Sequence, residues 1–263
     1  MAVVIPYHHK AVIQENYSKM CGRFTVTATP HELMSRFGVS VQSNLQPRWN
    51  VAPSQLSPII VANGMTDELV QAKFGLDGVV ANKSLINARS ETITEKPTFR
   101  DAFVAHRCLI VASGWYEWRA PKTPYHIQLA DGRVMGFAGL SFLRQKTWHF
   151  VIVTSAATGS LAAIHHRTPL VLEASQWPVW LHGNTEQAAQ AMGPINSRYF
   201  NAYQVAPDVG NVRHDHAGLT APFVPEETGT GQDKASKSAG YKRDPKGPDD
   251  EPRHDEPAQA ELF

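Results

Sequence analysis

The chain has 263 residues, 42% of them hydrophobic, which is enough for one sizeable core or two small ones. Two cysteines, no secretory leader pattern and no apolar run near the roughly 18–20 residues of a membrane span point to a reduced, cytoplasmic protein with neither disulfides nor a membrane anchor. The formal charge of +1 hides an asymmetry: ten acidic and six basic side chains lie beyond Val224, so the body is mildly basic, as a modest nucleic-acid surface would be.

Residues 1–20 carry a short apolar stretch and a mixed polar segment without caps or periodicity, and read as an extension ahead of a domain spanning 21–224. Phe24 to Ala28 alternates as a strand. Thr29-Pro30-His31-Glu32 then supplies an N-cap, a proline in the first turn and a capping-box glutamate, predicting a helix to about Phe37. Strands are predicted at Pro58–Val61, Leu69–Phe74, Cys108–Ala112, Tyr125–Leu129, Val134–Leu140 and Phe150–Ser155, with Asp131-Gly132 read as a hairpin turn between two of them. Helices are predicted at Thr98–Ala105, Ser175–Leu181 and Thr185–Met192. Strands in hairpin-like succession with interspersed helices imply an α+β domain. Residues 225–263 are rich in Gly, Pro and charge, hold only Tyr241, Leu262 and Phe263 as large apolar groups, and read as a disordered tail.

Five segments set reactive side chains among apolar or small residues: Met20-Cys21-Gly22-Arg23-Phe24, Trp49-Asn50-Val51-Ala52-Pro53-Ser54-Gln55, Ile86-Asn87-Ala88-Arg89-Ser90-Glu91-Thr92, Gly114-Trp115-Tyr116-Glu117-Trp118 and Ile164-His165-His166-Arg167-Thr168-Pro169. A cysteine, a carboxylate, a histidine and an amide are the parts of a nucleophilic site. Each also has a plainer reading. Cys108 sits inside an apolar run and reads as a small buried hydrophobe. Glu117 can equally be a salt-bridged edge residue, His165 and His166 surface histidines, and the tryptophans and tyrosines core rather than base-stacking platforms. His214-Asp215-His216 lacks further ligands at metal-binding spacing, so no metal is assigned.

The order of these segments, together with Arg107-Cys108-Leu109-Ile110 and Phe137-Ala138-Gly139-Leu140, resembles the SOS response-associated peptidase family over about residues 20–215. The resemblance implies a single α+β domain with a mixed, largely antiparallel, barrel-like sheet flanked by short helices. It also implies covalent attachment to abasic sites in single-stranded DNA during the DNA-damage response, by a monomer and without a cofactor. The implied chemistry joins the α-amine and thiol of an N-terminal Cys21 to the sugar aldehyde as a thiazolidine. An α-amine of pKa about 7.7 is neutral near pH 7 roughly 500-fold more often than a lysine of pKa about 10.4. By the same resemblance Glu117 is the general acid/base, Asn87 holds the cysteine, His165 assists proton transfer at the sugar oxygen, and Arg89 and Arg167, with Arg23 a weaker third, contact phosphate.

Three departures from the family pattern bear on that chemistry. Nineteen residues precede Met20, and while they remain attached the nitrogen of Cys21 is an amide. Thr168 stands where methionine is usual, and Phe74-Gly75-Leu76 where Trp-Gly-Leu is frequent, leaving Phe74 to wedge or stack against a base. Lyase action through the imine is a further expectation. The alternatives are a cysteine autopeptidase that only removes its own leader, and a noncovalent single-strand binder.

Overall fold

A computed structural model describes residues 20–41, 45–64, 66–80, 83–193 and 196–224. The predicted extension and tail lie outside the described residues, apart from Met20. Fifteen strands and five helices appear in the described part. The strands are β1 (Phe24–Val26), β2 (Arg48–Val51), β3 (Leu56–Asn63), β4 (Thr66–Phe74), β5 (Leu76–Val80), β6 (Lys83–Leu85), β7 (Asn87–Arg89) and β8 (Arg107–Ala112). They continue with β9 (Gly114–Arg119), β10 (Thr123–Leu129), β11 (Met135–Arg144), β12 (Thr147–Ala156), β13 (Arg167–Pro169), β14 (Val171–Leu172) and β15 (Phe200–Gln204). The helices are α1 (Pro30–Phe37), α2 (Pro97–Ala105), α3 (Gly159–Ala162), α4 (Trp177–His182) and α5 (Thr185–Gln190).

β12, β4, β3, β8 and β11 pair in succession, and β11 pairs back onto β12, so the sheet closes into a five-stranded ring. Only the β12–β4 step within that ring is parallel. β7, β13 and β14 attach to its strands, with β7 parallel to β12. A second, antiparallel sheet runs β15-β10-β9-β1-β2. Closing the ring removes most free edges, and the mixed, largely antiparallel barrel agrees with the expected architecture.

Both sheets share one core. Phe24 of β1 meets Phe74, Phe137 and Phe150 of the ring edge-on, with centroids 5.6, 6.3 and 6.3 Å away, and Trp115 of β9 packs against Phe137 at 5.9 Å. Period-2 alternation along β9 sends Trp115 and Glu117 to this inner side. Tyr116 and Trp118 take the outer side, where Val205, Val209 and Leu219 cover them. Alternation thus turns Glu117 inward, and the packing over that part of the strand buries it, whereas Arg119, next on the same face, is exposed.

The helix predicted from its cap forms as read. Thr29 accepts from the Glu32 amide at 3.2 Å, the Glu32 carboxylate accepts from the Thr29 amide at 2.7 Å, and Gly38 ends the helix at φ +70°. Ser175–Leu181 divides into a 3-10 turn at Ala174–Gln176 followed by α4, because Pro178 has no amide with which to continue a helix across the join. Asp131-Gly132 does form a tight turn, with the Gly132 amide 3.0 Å from the Leu129 carbonyl and φ +70°. It is not a hairpin, however. β10 pairs with β9 and β15 while β11 pairs with β8, β12 and β14, so the turn passes the chain from one sheet to the other.

Candidate active site

Cys21 precedes β1, and the antiparallel β1–β9 register, Phe24 opposite Trp115, carries it to Glu117. Oε1 of Glu117 accepts from the Cys21 amide at 3.0 Å and from its thiol at 2.9 Å. Both side chains are buried, Cys21 at 1% and Glu117 at 3% exposure. Burial raises the Glu117 pKa from 4.5 to about 8, against the lowering effect of the two bonds from Cys21. Burial also raises the thiol well above its usual value, helped by the Glu117 charge and hydrogen bond and opposed by the Arg167 charge. At neutral pH the two groups are thus mainly a carboxylic acid and a thiol, and only the minority carboxylate form of Glu117 can accept the thiol proton.

The peptide bond before Cys21 is also held. Asn87 Nδ2, from β7 beside β12, donates to the Met20 carbonyl oxygen. Cys21 itself has φ +44°, a left-handed conformation that a side chain disfavours by about 1 kcal/mol. His165 follows α3, with Nδ1 at 3.1 Å from both the amide and the carbonyl of Arg167 and 3.9 Å from Glu117 Oε2. Burial lowers the His165 pKa while it raises that of Glu117, so at neutral pH this contact joins two neutral groups rather than an ion pair. Among the described residues Asn87 Oδ1, His165 Nε2 and Arg167 Nε are buried without a partner, leaving three polar atoms unspent around the cysteine.

The cationic residues separate into distinct roles. Arg167 is 8% exposed; its guanidinium pairs with both oxygens of Glu91 at 2.5 and 2.9 Å and donates to Thr154 O at 2.6 Å. Arg23 donates to Asn50 Oδ1 and Val209 O at 2.8 Å and to Gly210 O at 3.1 Å, which makes it a clamp on the C-terminal segment. Arg89 is exposed, two residues from Asn87 on the same strand, and has no hydrogen bond or ion pair among the described residues. Phe74 corrects an expectation: its ring is 0% exposed and stacks on Phe150 at 5.0 Å with planes 6° apart, so it fills the core and offers no face to a base.

Asn50, Asp215 and Glu91 take roles that their local sequence does not reveal, although each lies in one of the segments named above. Fully buried Asn50 donates to the carbonyls of Val209, Asn211 and His214 at 3.2, 3.1 and 2.8 Å. Asp215 accepts from the Trp49 and Asn50 amides at 2.6 and 3.1 Å and from Arg48. This strap fastens residues 209–215 behind β1 and β2. Arg107 is likewise structural, donating to Trp180 O at 2.5 Å and Phe103 O at 2.6 Å near the ends of α4 and α2.

The sequence profile of the SOS response associated peptidase (SRAP) family matches residues 20–212, nearly the whole described part. The chain belongs to the SRAP family. Among its relatives, the abasic site processing protein YoaM of Bacillus subtilis is 32% identical over 76% of this chain and 97% of its own length. YedK of Escherichia coli, also an abasic site processing protein, is 29% identical over 77% of this chain and 100% of its own. The fold recurs in a crystal structure of a Bacteroides thetaiotaomicron protein, with a TM-score of 0.67 and 23% identity over 78% of this chain and 100% of that one. A phage-related protein of Bordetella bronchiseptica aligns with a TM-score of 0.61 and 25% identity over 70% and 94%. No described helix is long and apolar enough to cross a membrane.

Proposed function

We propose that this SRAP protein processes abasic sites in single-stranded DNA by closing a thiazolidine between Cys21 and the ring-opened sugar. The observation that carries the reading is the single Glu117 oxygen lying 3.0 Å from the nitrogen and 2.9 Å from the sulfur of Cys21, the two atoms that must reach one aldehyde carbon. The free amine adds to that carbon and the carbinolamine loses water, with Glu117 delivering the proton to the departing oxygen. The thiol then adds to the imine carbon while its proton passes to nitrogen, so the overall change is loss of one water. His165 stands beside Glu117 as a neutral partner for the sugar oxygen, and Arg89 is the cation free to meet phosphate. The imine also makes the adjacent sugar C–H acidic, which opens β-elimination as a lyase route.

A chain beginning at Cys21 is expected to give a slow-migrating adduct with single-stranded abasic DNA on a denaturing gel. Cys21→Ala should abolish it, and adduct at normal yield from that variant would overturn the reading.

A second reaction at the same place is favoured by the hold on Met20. Glu117 in its carboxylate form, the minority at neutral pH, takes the proton of the Cys21 thiol, which attacks the Met20 carbonyl carbon through a five-membered ring; the C–N bond breaks to a thioester as Glu117 returns the proton to the nitrogen. Asn87 Nδ2 supports the oxygen as it becomes negative. Water then hydrolyses the thioester and leaves the free amine that thiazolidine formation needs. Intact mass of the full chain should show loss of residues 1–20, and Glu117→Gln should retain them; equal processing in both would exclude self-cleavage.

A further inference from the structure

A cavity of about 580 Å³ lies away from Cys21, lined by the end of α1, the turn between β10 and β11, and the 3-10 segment at Ser197–Tyr199. Leu129, on its wall, is four residues along β10 from Tyr125, the partner of Glu117, which places it about 13 Å further down the strand. Its charges decide what it can hold. The Asp131 carboxylate is committed to Arg133, at 2.6 Å from the guanidinium and 3.0 Å from the amide. Glu173 caps the Ala174–Gln176 turn through its backbone, its amide donating to Gln176 Oε1 at 2.8 Å, and its exposed carboxylate leaves one negative charge at the cavity against the two arginines. Arg36 and Arg198 have no carboxylate partner among the described residues. Half-buried Arg36 spends one donor, on Val134 O at 3.4 Å, and lies 5.0 Å over Trp177. Arg198 bonds the Tyr199 hydroxyl at 3.1 Å and lies 5.1 Å over its ring. Burial and the Arg133 charge work against the Arg36 cation and the Asp131 charge works for it; an incoming anion would act in the same sense as Asp131.

We propose that this cavity is a second binding site, for a nucleotide, with the phosphate held by Arg36 and Arg198 and the base against Tyr199, which is 42% exposed. Its volume falls within the roughly 300–1,000 Å³ of small-ligand pockets, and two guanidiniums beside aromatic rings match the chemistry of a phosphate joined to a flat ring. A free mononucleotide and a nucleotide of a DNA strand present the same groups, so the test uses both.

The Cys21→Ala chain, which cannot form the covalent link, is titrated with dAMP by calorimetry and with an undamaged 15-mer of dT by fluorescence anisotropy over a range of salt. Arg36→Gln/Arg198→Gln is expected to weaken dAMP binding by roughly tenfold or more. If the 15-mer weakens in parallel, with the salt slope reduced by about 2, the natural ligand is a strand; if dAMP alone weakens, it is a free nucleotide. Should the double variant fail to fold, Tyr199→Ala, at an exposed ring, is expected to weaken dAMP binding several-fold. Absence of dAMP binding to the parent chain, or affinities unchanged in the folded variants, overturns the proposal. Because adduct formation is not read, the outcome is independent of the Cys21 chemistry.

Discussion

Glu117→Gln should make the uncleaved chain more stable while removing its chemistry, and the gain should depend on pH in a defined direction. The Glu117 carboxyl titrates at 4.5 when unfolded and at about 8 in the fold, chiefly because burial disfavours the charged form. Below 4.5 both states are protonated and the group costs nothing. Between 4.5 and about 8 the unfolded chain releases a proton that the folded chain retains, so stability falls by at most about 1.4 kcal/mol per pH unit. Above about 8 the full penalty is present, with a ceiling of about 5 kcal/mol from the two pKa values. Glutamine keeps an oxygen to accept from Cys21 and has no charge to bury. Urea denaturation from pH 4.5 to 9, on chains with the Met20–Cys21 bond intact, should show wild type and variant alike at the acid end and diverging upward. Parallel stability curves across that range would refute the account, because they would mean that Glu117 ionises in the fold as readily as in water.

Phe74→Ala should cost about 3–5 kcal/mol, as for other buried phenylalanines, yet leave single-strand affinity of the folded variant unchanged; thermal melts and anisotropy read the two effects separately. Asn50→Ala removes three donations to the strap, leaving His214 O without a donor among the described residues while Val209 O keeps Arg23 and Asn211 O keeps the His214 amide. It also takes one of three acceptors from Arg23, so a loss of about 3 kcal/mol is expected in urea unfolding. Arg89→Gln should lower affinity for single-stranded DNA and reduce the salt slope by about 1, with adduct yield restored at saturating DNA. Arg167→Gln differs from it: breaking the pairing with Glu91 should impair adduct formation even at saturating DNA, measured on the same gels.

Legibility followed the range of the interaction. The capping box at Thr29 and Glu32 is complete within four residues, so α1 could be read directly, and the alternation in Leu69–Phe74 and Tyr125–Leu129 marks strands that carry their own pattern. β2, β5, β6, β7, β9, β13, β14 and β15 were not predicted as strands. All but β9 have five residues or fewer, and sheet partners elsewhere in the chain supply most of their hydrogen bonds. The Asp131-Gly132 turn shows the same division: its local geometry was readable, whereas the sheets it joins were not.

The sequence by itself determined the family, the α+β class, and a short set of reactive residues, because those are carried by residue identity and by spacing within a few positions. Tertiary structure decided their states and partners. Strand register brings Cys21 to Glu117 across 96 positions, and burial makes the carboxylate an acid at neutral pH. Packing turns Phe74 inward, ties Arg23 to a strap and Arg167 to Glu91, and leaves Arg89 uncommitted among the described residues. Desolvation and pairing depend on everything that surrounds a group, and most of what surrounds these groups comes from distant parts of the chain.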